Sequence, residues 1–266
     1  MLIVLSPAKS LDFSAPPVQP PMTAPGQAKE TAKLVSAARK LSRADLAQMM
    51  DISDKLADLT HARFKAFRAE PDPAAIRPAM LAFAGDVYEG LKARTLDLES
   101  LQWAQDHVRI LSGLYGVLRP LDQLQPYRLE MGVRVPGLGS LYDFWGDRIA
   151  KILRAALDGQ VDPTLVNLAS QEYFGAVDVR ALKRPVVSCV FLQERDGVRR
   201  NLGLFSKVAR GLMARFAIDN RLEATADLKA FDRANYRYRA DLSTENEWTF
   251  VRPQPALGTP MAVSEA

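Results

Sequence analysis

Residues 1–9 read "MLIVLSPAK". Leu2 through Leu5 form a short apolar run of β-prone side chains. It stops at Ser6-Pro7, because proline supplies no backbone donor and biases the residue before it toward extended geometry. The run is expected to be a buried strand. Ser6 and Lys9 then sit just past its end, where strands commonly deliver side chains to a cleft.

Outward from that strand, "SAPPVQPPMTAPG" places five prolines between residues 14 and 26, an extended connection that follows the surface. From Ala28 to Phe67 the pattern turns helical. Three helices fit, near 28–41, 43–50 and 54–69, with caps at Ser42 and Ser53 and a capping arrangement between Ser42 and Asp45. Further strands are expected where β-branched and aromatic residues cluster between breakers, at "TLVNL" (164–168), "PVVSCVF" (185–191) and "EWTFV" (247–251). A sheet assembled from segments this far apart is a mixed α/β or α+β single domain, residues 1–251, rather than a clean βαβ series. Residues 252–266 read as a flexible tail.

Composition narrows the class. The 266 residues are 48% hydrophobic and 25% charged, ordinary for a soluble globular chain. No window approaches a membrane span, and the four-residue apolar start falls short of a secretory signal, so a cytoplasmic protein is expected. Cys189 lies in an apolar run and reads as a buried, inert thiol. His61 and His107 stand at no ligand spacing from it or from each other, so no zinc-type site and no cofactor is expected. No nucleophile elbow, phosphate loop or dinucleotide turn occurs.

The net charge of +4 is unevenly spread: residues 195–240 carry eleven Lys or Arg against five Asp or Glu. Within them "GLFSKVARGLMARFAIDNRL" (203–222) has Phe205, Val208, Ala209, Leu212 and Phe216 at helical spacing, with Lys207, Arg210 and Arg221 on the other side. Gly211 and Ala214 between the cations would leave room for something to approach, a hint of phosphate contact.

Polar residues gather beside breaks in the backbone. Asn167, Ser170 and Glu172 follow the second strand, and "FAGDVYEGL" supplies Asp86 and Tyr88. The stretch 110–132, "ILSGLYGVLRPLDQLQPYRLEMG", supplies Ser112, Tyr115, Arg119, Tyr127, Arg128 and Glu130 on glycine- and proline-punctuated chain. Each has a plainer reading: an Arg128–Glu130 ion pair, Gly113 and Gly116 ending a helix, Tyr115 in the core.

The ordered set "SPAKSLDF", "ISDKLA", "FAGDVYEGL", "LSGLYGVLRPLDQLQPYRLEMG", "LYDFWGD", "VNLASQEYF" and "ARGLMARFAIDNRL" resembles the YaaA family of bacterial peroxide-stress proteins, from residue 6 to about 222. The resemblance implies resistance to hydrogen peroxide, lower free iron and less Fenton damage to DNA. It also implies a single-domain mixed fold with a positively charged cleft, a helix-hairpin-helix element near 43–69 and DNA binding, with no reaction firmly attached. The matching hairpin turn is "KLADLTHARF" (55–64), where Asp58 and Thr60 replace favoured glycines and Asp58 would repel phosphate. Lys55, Arg63 and Lys65 could compensate, with Lys207, Arg210, Arg215 and Arg221 as the other DNA contacts.

Three readings follow. The first is a monomeric protective protein that binds duplex or distorted DNA with little sequence preference, its affinity falling steeply with salt. In it, stretch 110–132 walls the cleft, with Arg119 and Arg128 facing an anion beside Ser6, Lys9, Ser112, Tyr127, Asn167 and Ser170. The second is an enzyme on a nucleotide or damaged nucleic acid, with Lys9, Tyr115, Arg128, Glu130 and Glu172 as candidate catalytic residues and a small anionic ligand in the pocket. The third is iron held by carboxylates such as Asp86, Glu130 and Glu172.

Overall fold

The structure, a computed structural model, describes residues 1–254. It is a single α/β domain built on a mixed sheet. The opening run forms β1 (Leu2–Leu5), every residue of it fully buried. Four later strands lie parallel with it in one sheet: β2 (Val108–Ser112), β4 (Leu165–Leu168), β5 (Val186–Arg195) and β8 (Glu247–Pro253). Antiparallel strands finish the sheet: β3 (Gly116–Leu118) on β2, β6 (Val198–Arg200) on β5 and β7 (Arg237–Tyr238) on β8. The order is β7-β8-β5-β4-β1-β2-β3, with β6 off the path beside β5. A strand solvated on neither face reads as a continuous apolar run, which is why β1 stands out in the sequence.

Among the parallel strands the chain steps from β1 to one side for β2, then returns to the other side for β4, β5 and β8. The direction of winding reverses between β1 and β4. At such a switch point the connections leave in opposite directions and open a crevice at the carboxyl ends of the strands.

Two strands depart from expectation. β5 runs on to Arg195 because Gln193, fully buried, has its side chain hydrogen-bonded to the Tyr236 hydroxyl and to the backbone N–H of Leu202. β8 runs to Pro253 with Arg252 buried, past the expected domain end at 251, and the tail from 255 lies outside the described residues. The stretch 110–132 is also more regular than its glycines suggest: 108–118 is a β-hairpin of β2 and β3, and Gly113 and Gly116 end no helix.

The helical region matches closely: α1 (Ala28–Ala38), α2 (Arg43–Met50) and α3 (Asp54–Ala66). Ser42 and Asp45 form a full capping box at the start of α2. The hairpin turn expected at 55–64 is absent. Those residues lie inside α3, which has no Gly or Pro and buries Ala57, Thr60 and Phe64 at helical spacing. The α2–α3 turn is Asp51–Ser53, and Asp58 pairs with Arg43 at 3.0 Å, tying the two helices together instead of facing a phosphate.

Helix α4 (Asp86–Leu91) crosses the basic helix α8 (Gly203–Asp219) at very close range; between them lie α5 (Leu98–His107), α6 (Arg148–Leu157) and the single-turn α7 (Gln171–Phe174) in chain order. A Cβ at Gly211 would lie 1.8 Å from the Val87 carbonyl oxygen, and one at Gly90 2.1 Å from that of Val208. The room expected at Gly211 for a ligand is filled by α4. No helix among the described residues is long and apolar enough to cross a membrane.

Candidate functional site

A cleft of about 460 Å³ opens at the carboxyl ends of β1 and β4, at the switch point. The strand ends are stitched together: Ser6 Oγ accepts from the Ser170 N–H at 2.8 Å and donates to Ser170 Oγ at 3.3 Å. Ser170 caps α7, and the Tyr88 hydroxyl donates to the Ser6 carbonyl at 3.1 Å. These hydroxyls are committed to holding the floor.

Charged side chains surround that floor. From the loop after β1 comes Lys9, from the 127–130 segment Arg128 and Glu130, from α7 Glu172, from α4 Asp86, and from α8 Lys207 and Arg210. Arg128 Nε lies 3.1 Å from Glu130 Oε1 and Lys9 Nζ lies 4.0 Å from it, while Lys207 Nζ pairs with Asp86 Oδ2 at 3.3 Å. Glu172 Oε1 accepts from the Gly132 N–H at 3.1 Å. Four cations thus face three carboxylates, so the cleft expected to be positively charged is lined by mixed charge with a small positive excess.

The pairing is incomplete in an informative way. The Arg128 and Glu130 side chains are only 13% and 15% exposed, yet the Arg128 N–H is not aimed at the carboxylate. Arg128 Nε, both Glu130 oxygens and Arg210 Nε are buried without a hydrogen bond. Of nine such atoms among the described residues, four stand here. Each costs about 1–3 kcal/mol if left unmet, so such a cluster calls for water, an ion or a ligand to complete it. Arg210 has no carboxylate partner among the described residues. Burial lowers its pKa, and its neighbour Cys189 is a thiol pushed up to about 12 by burial, hence neutral.

The tyrosines of the site stay protonated and serve as hydrogen-bonding phenols, not as bases. Burial raises Tyr127 above its usual value against the opposing bond to Ser112 Oγ at 2.8 Å; burial, then Tyr127, Glu172 and Glu130, raise Tyr173 further. Tyr173 lines the cleft although the reading of the residues does not single it out; its only signal is its place in "VNLASQEYF".

Several expected residues stand elsewhere. Ser112 is fully buried, holding Tyr127 from below. Tyr115 is raised in pKa by burial, its hydroxyl accepts from the Gln125 N–H at 3.2 Å, and it faces a different groove, so it is no catalytic group of this cleft. Arg119 is turned to Asp122 at 3.1 Å, away from the cleft, because Asp122 is buried and needs its charge met. Asn167 bonds Ser188 Oγ and the Ala169 N–H, shaping the exit of β4. Arg215 is turned to Asp219 and Thr95, and Arg221, past the end of α8, to Glu99 and Ser100; the basic segment therefore offers the cleft only Lys207 and Arg210. Lys55 and Lys65 are exposed on α3; Arg63, half-buried, is lowered in pKa by burial and by Arg128 beside it. Asp86, Glu130 and Glu172 share the cleft, but no group of three or more His, Cys, Asp or Glu among the described residues could hold a metal ion.

Comparison with known proteins places this geometry in a family. A family model described as peroxide stress protein YaaA matches residues 1–242. A UPF0246 protein of Phenylobacterium zucineum is 59% identical over 257 residues, 96% of each chain. Similar UPF0246 proteins occur in Caulobacter vibrioides, 56% identical over 96% of this chain and all of the relative, and in Dinoroseobacter shibae, 52% identical over 96% of both.

Proposed function

The chain belongs to the peroxide stress protein YaaA family, and on that premise we propose that it protects DNA in the cytoplasm by seating one nucleotide of a distorted or single-stranded segment in the switch-point cleft. The observation that carries this reading is the charged lining of the cleft: Arg210, with no carboxylate partner among the described residues, offers a guanidinium to phosphate, and the Arg128–Glu130 ion pair, joined by no aligned hydrogen bond, leaves polar groups for a base edge. Lys9 and Lys207 stand at the rim to assist. A cavity of about 460 Å³ has the size of small-ligand sites and excludes a duplex, so a base must enter unstacked. Covering the nucleotide keeps hydrated iron and peroxide from it, limiting iron-dependent damage without iron being held.

Fluorescence anisotropy across a salt series tests the reading, with matched duplex, bulged duplex and single strand. Bulged and single-stranded DNA should bind more tightly than matched duplex, with log K falling against log salt at a slope on the order of −1 to −2, as for one or two neutralised phosphates. The Lys207→Ala/Arg210→Ala variant should lose the preference. Equal binding by the variant, or matched duplex bound best with a steep slope, would overturn it.

The Glu130 carboxylate, buried and ion-paired with Arg128 without an aligned hydrogen bond, favours a second reading in the same cleft, an enzyme on a nucleotide or damaged nucleic acid with Glu130 accepting a proton. A nucleotide altered by the wild type and not by Glu130→Gln would establish it; nucleotides recovered unchanged would leave binding alone.

A further inference from the structure

We propose that a second groove, beside α1, is a binding site for a small organic anion with an apolar body. The groove is about 630 Å³, within the range of sites that bury small ligands. Its walls are Val35, Phe67 and Tyr115, and three cations, Arg39, Lys65 and Arg68, line the same groove.

The cations are held in place without being neutralised. Arg39 Nε donates to the Phe64 carbonyl at 2.8 Å and its Nη2 to that of Phe67; Lys65 Nζ donates to the Arg39 carbonyl at 3.0 Å. Arg68 Nη1 donates to the Lys65 and Phe67 carbonyls at 2.7 and 2.9 Å. None has a carboxylate within ion-pair distance among the described residues, whereas three of the four cations of the first cleft do. Positive charge concentrated beside apolar walls selects an amphiphile with an anionic head, the head on Lys65 and Arg68 and the chain against Phe67 and Tyr115.

The occupant is a single free amphiphile, not a bilayer. The exposed large apolar residues Leu59, Leu98, Val161, Val179, Val198 and Leu204 all lie outside the groove and provide no surrounding patch to enter lipid. The groove also backs directly on the first cleft: Tyr115 of the groove meets Tyr127 of the cleft edge to face, with ring centres 5.3 Å apart.

Isothermal titration with sodium decanoate below its micelle concentration tests the site. Saturable one-to-one binding is expected, weakened about tenfold or more in Lys65→Ala/Arg68→Ala, the scale of one charge-assisted contact, and abolished by Ala28→Trp, which fills the groove. Thermal midpoints of both variants check that the fold is kept. The proposal is overturned if decanoate does not bind, if both variants bind as well as the wild type, or if decyltrimethylammonium binds equally well. Cosedimentation with anionic phosphatidylglycerol vesicles in the absence of decanoate binding would likewise overturn it in favour of a membrane surface.

Discussion

Ser6, Lys9, Tyr127, Arg128, Glu130, Ser170, Glu172, Lys207 and Arg210 meet in one cleft although up to about two hundred positions separate them in the chain. Their types and their places beside strand ends were legible from the residues. Their partners were not: Arg119 and Arg128 look alike in sequence, but one neutralises a buried aspartate away from the cleft and the other pairs with Glu130 inside it without an aligned hydrogen bond. A second residue shows how tertiary burial sets chemistry. His107 stacks on Trp103 at 4.2 Å and its Nδ1–H donates to the Met1 carbonyl at 3.2 Å. Burial, the leading cause, lowers its pKa, helped by the nearby amino terminus and opposed by that bond, Asp106 and Glu223. A histidine whose folded pKa lies below its unfolded value of about 6.5 binds more protons unfolded. Its contribution is therefore complete above about pH 6.5 and is lost as pH falls toward the folded pKa. The thermal midpoint should drop more steeply below pH 6.5 in the wild type than in His107→Gln; parallel curves would show that His107 carries no such linkage.

At the scale of elements, α8 was found by its apolar periodicity, and Lys207 and Arg210 do line the cleft, but the space expected at Gly211 is closed because a helix pattern does not say what packs on it. Gly211 reads as an opening for phosphate in sequence and is the contact with α4 in the fold. In an isolated helix Gly→Ala gains about 0.5–1 kcal/mol. Here the added methyl meets the Val87 backbone, which cannot swing away, so overpacking should reverse the sign. Gly211→Ala should destabilise by about 1–3 kcal/mol, measured by urea unfolding, and should weaken nucleotide binding by moving Lys207 and Arg210 relative to Asp86. A variant as stable as the wild type would mean that the crossing yields freely. The 55–64 segment teaches the same point: a family hairpin was expected there, and local helix-forming residues with buried Ala57, Thr60 and Phe64 made it continuous helix instead.

Across the whole molecule, β1 is an interior parallel strand, paired on both sides and buried along its length. Opening it requires loss of the sheet, so the amides of Leu2–Leu5 that pair with β2 and β4 should exchange with solvent only by global unfolding, and those of the edge strands β6 and β7 much sooner. Native-state hydrogen exchange checks this, and protection of β1 no greater than that of β7 would contradict it. By itself the sequence determined the strand and helix identities of long or strongly patterned segments, the mixed single domain and the pool of polar residues at strand ends, since these follow from local periodicity and backbone chemistry. Only the tertiary structure decided that winding reverses between β1 and β4, that the Glu130 oxygens and Arg210 Nε are buried there without hydrogen bonds, and that Gly211 is closed. Strand order and burial depend on contacts between residues far apart in the chain, which no local pattern contains.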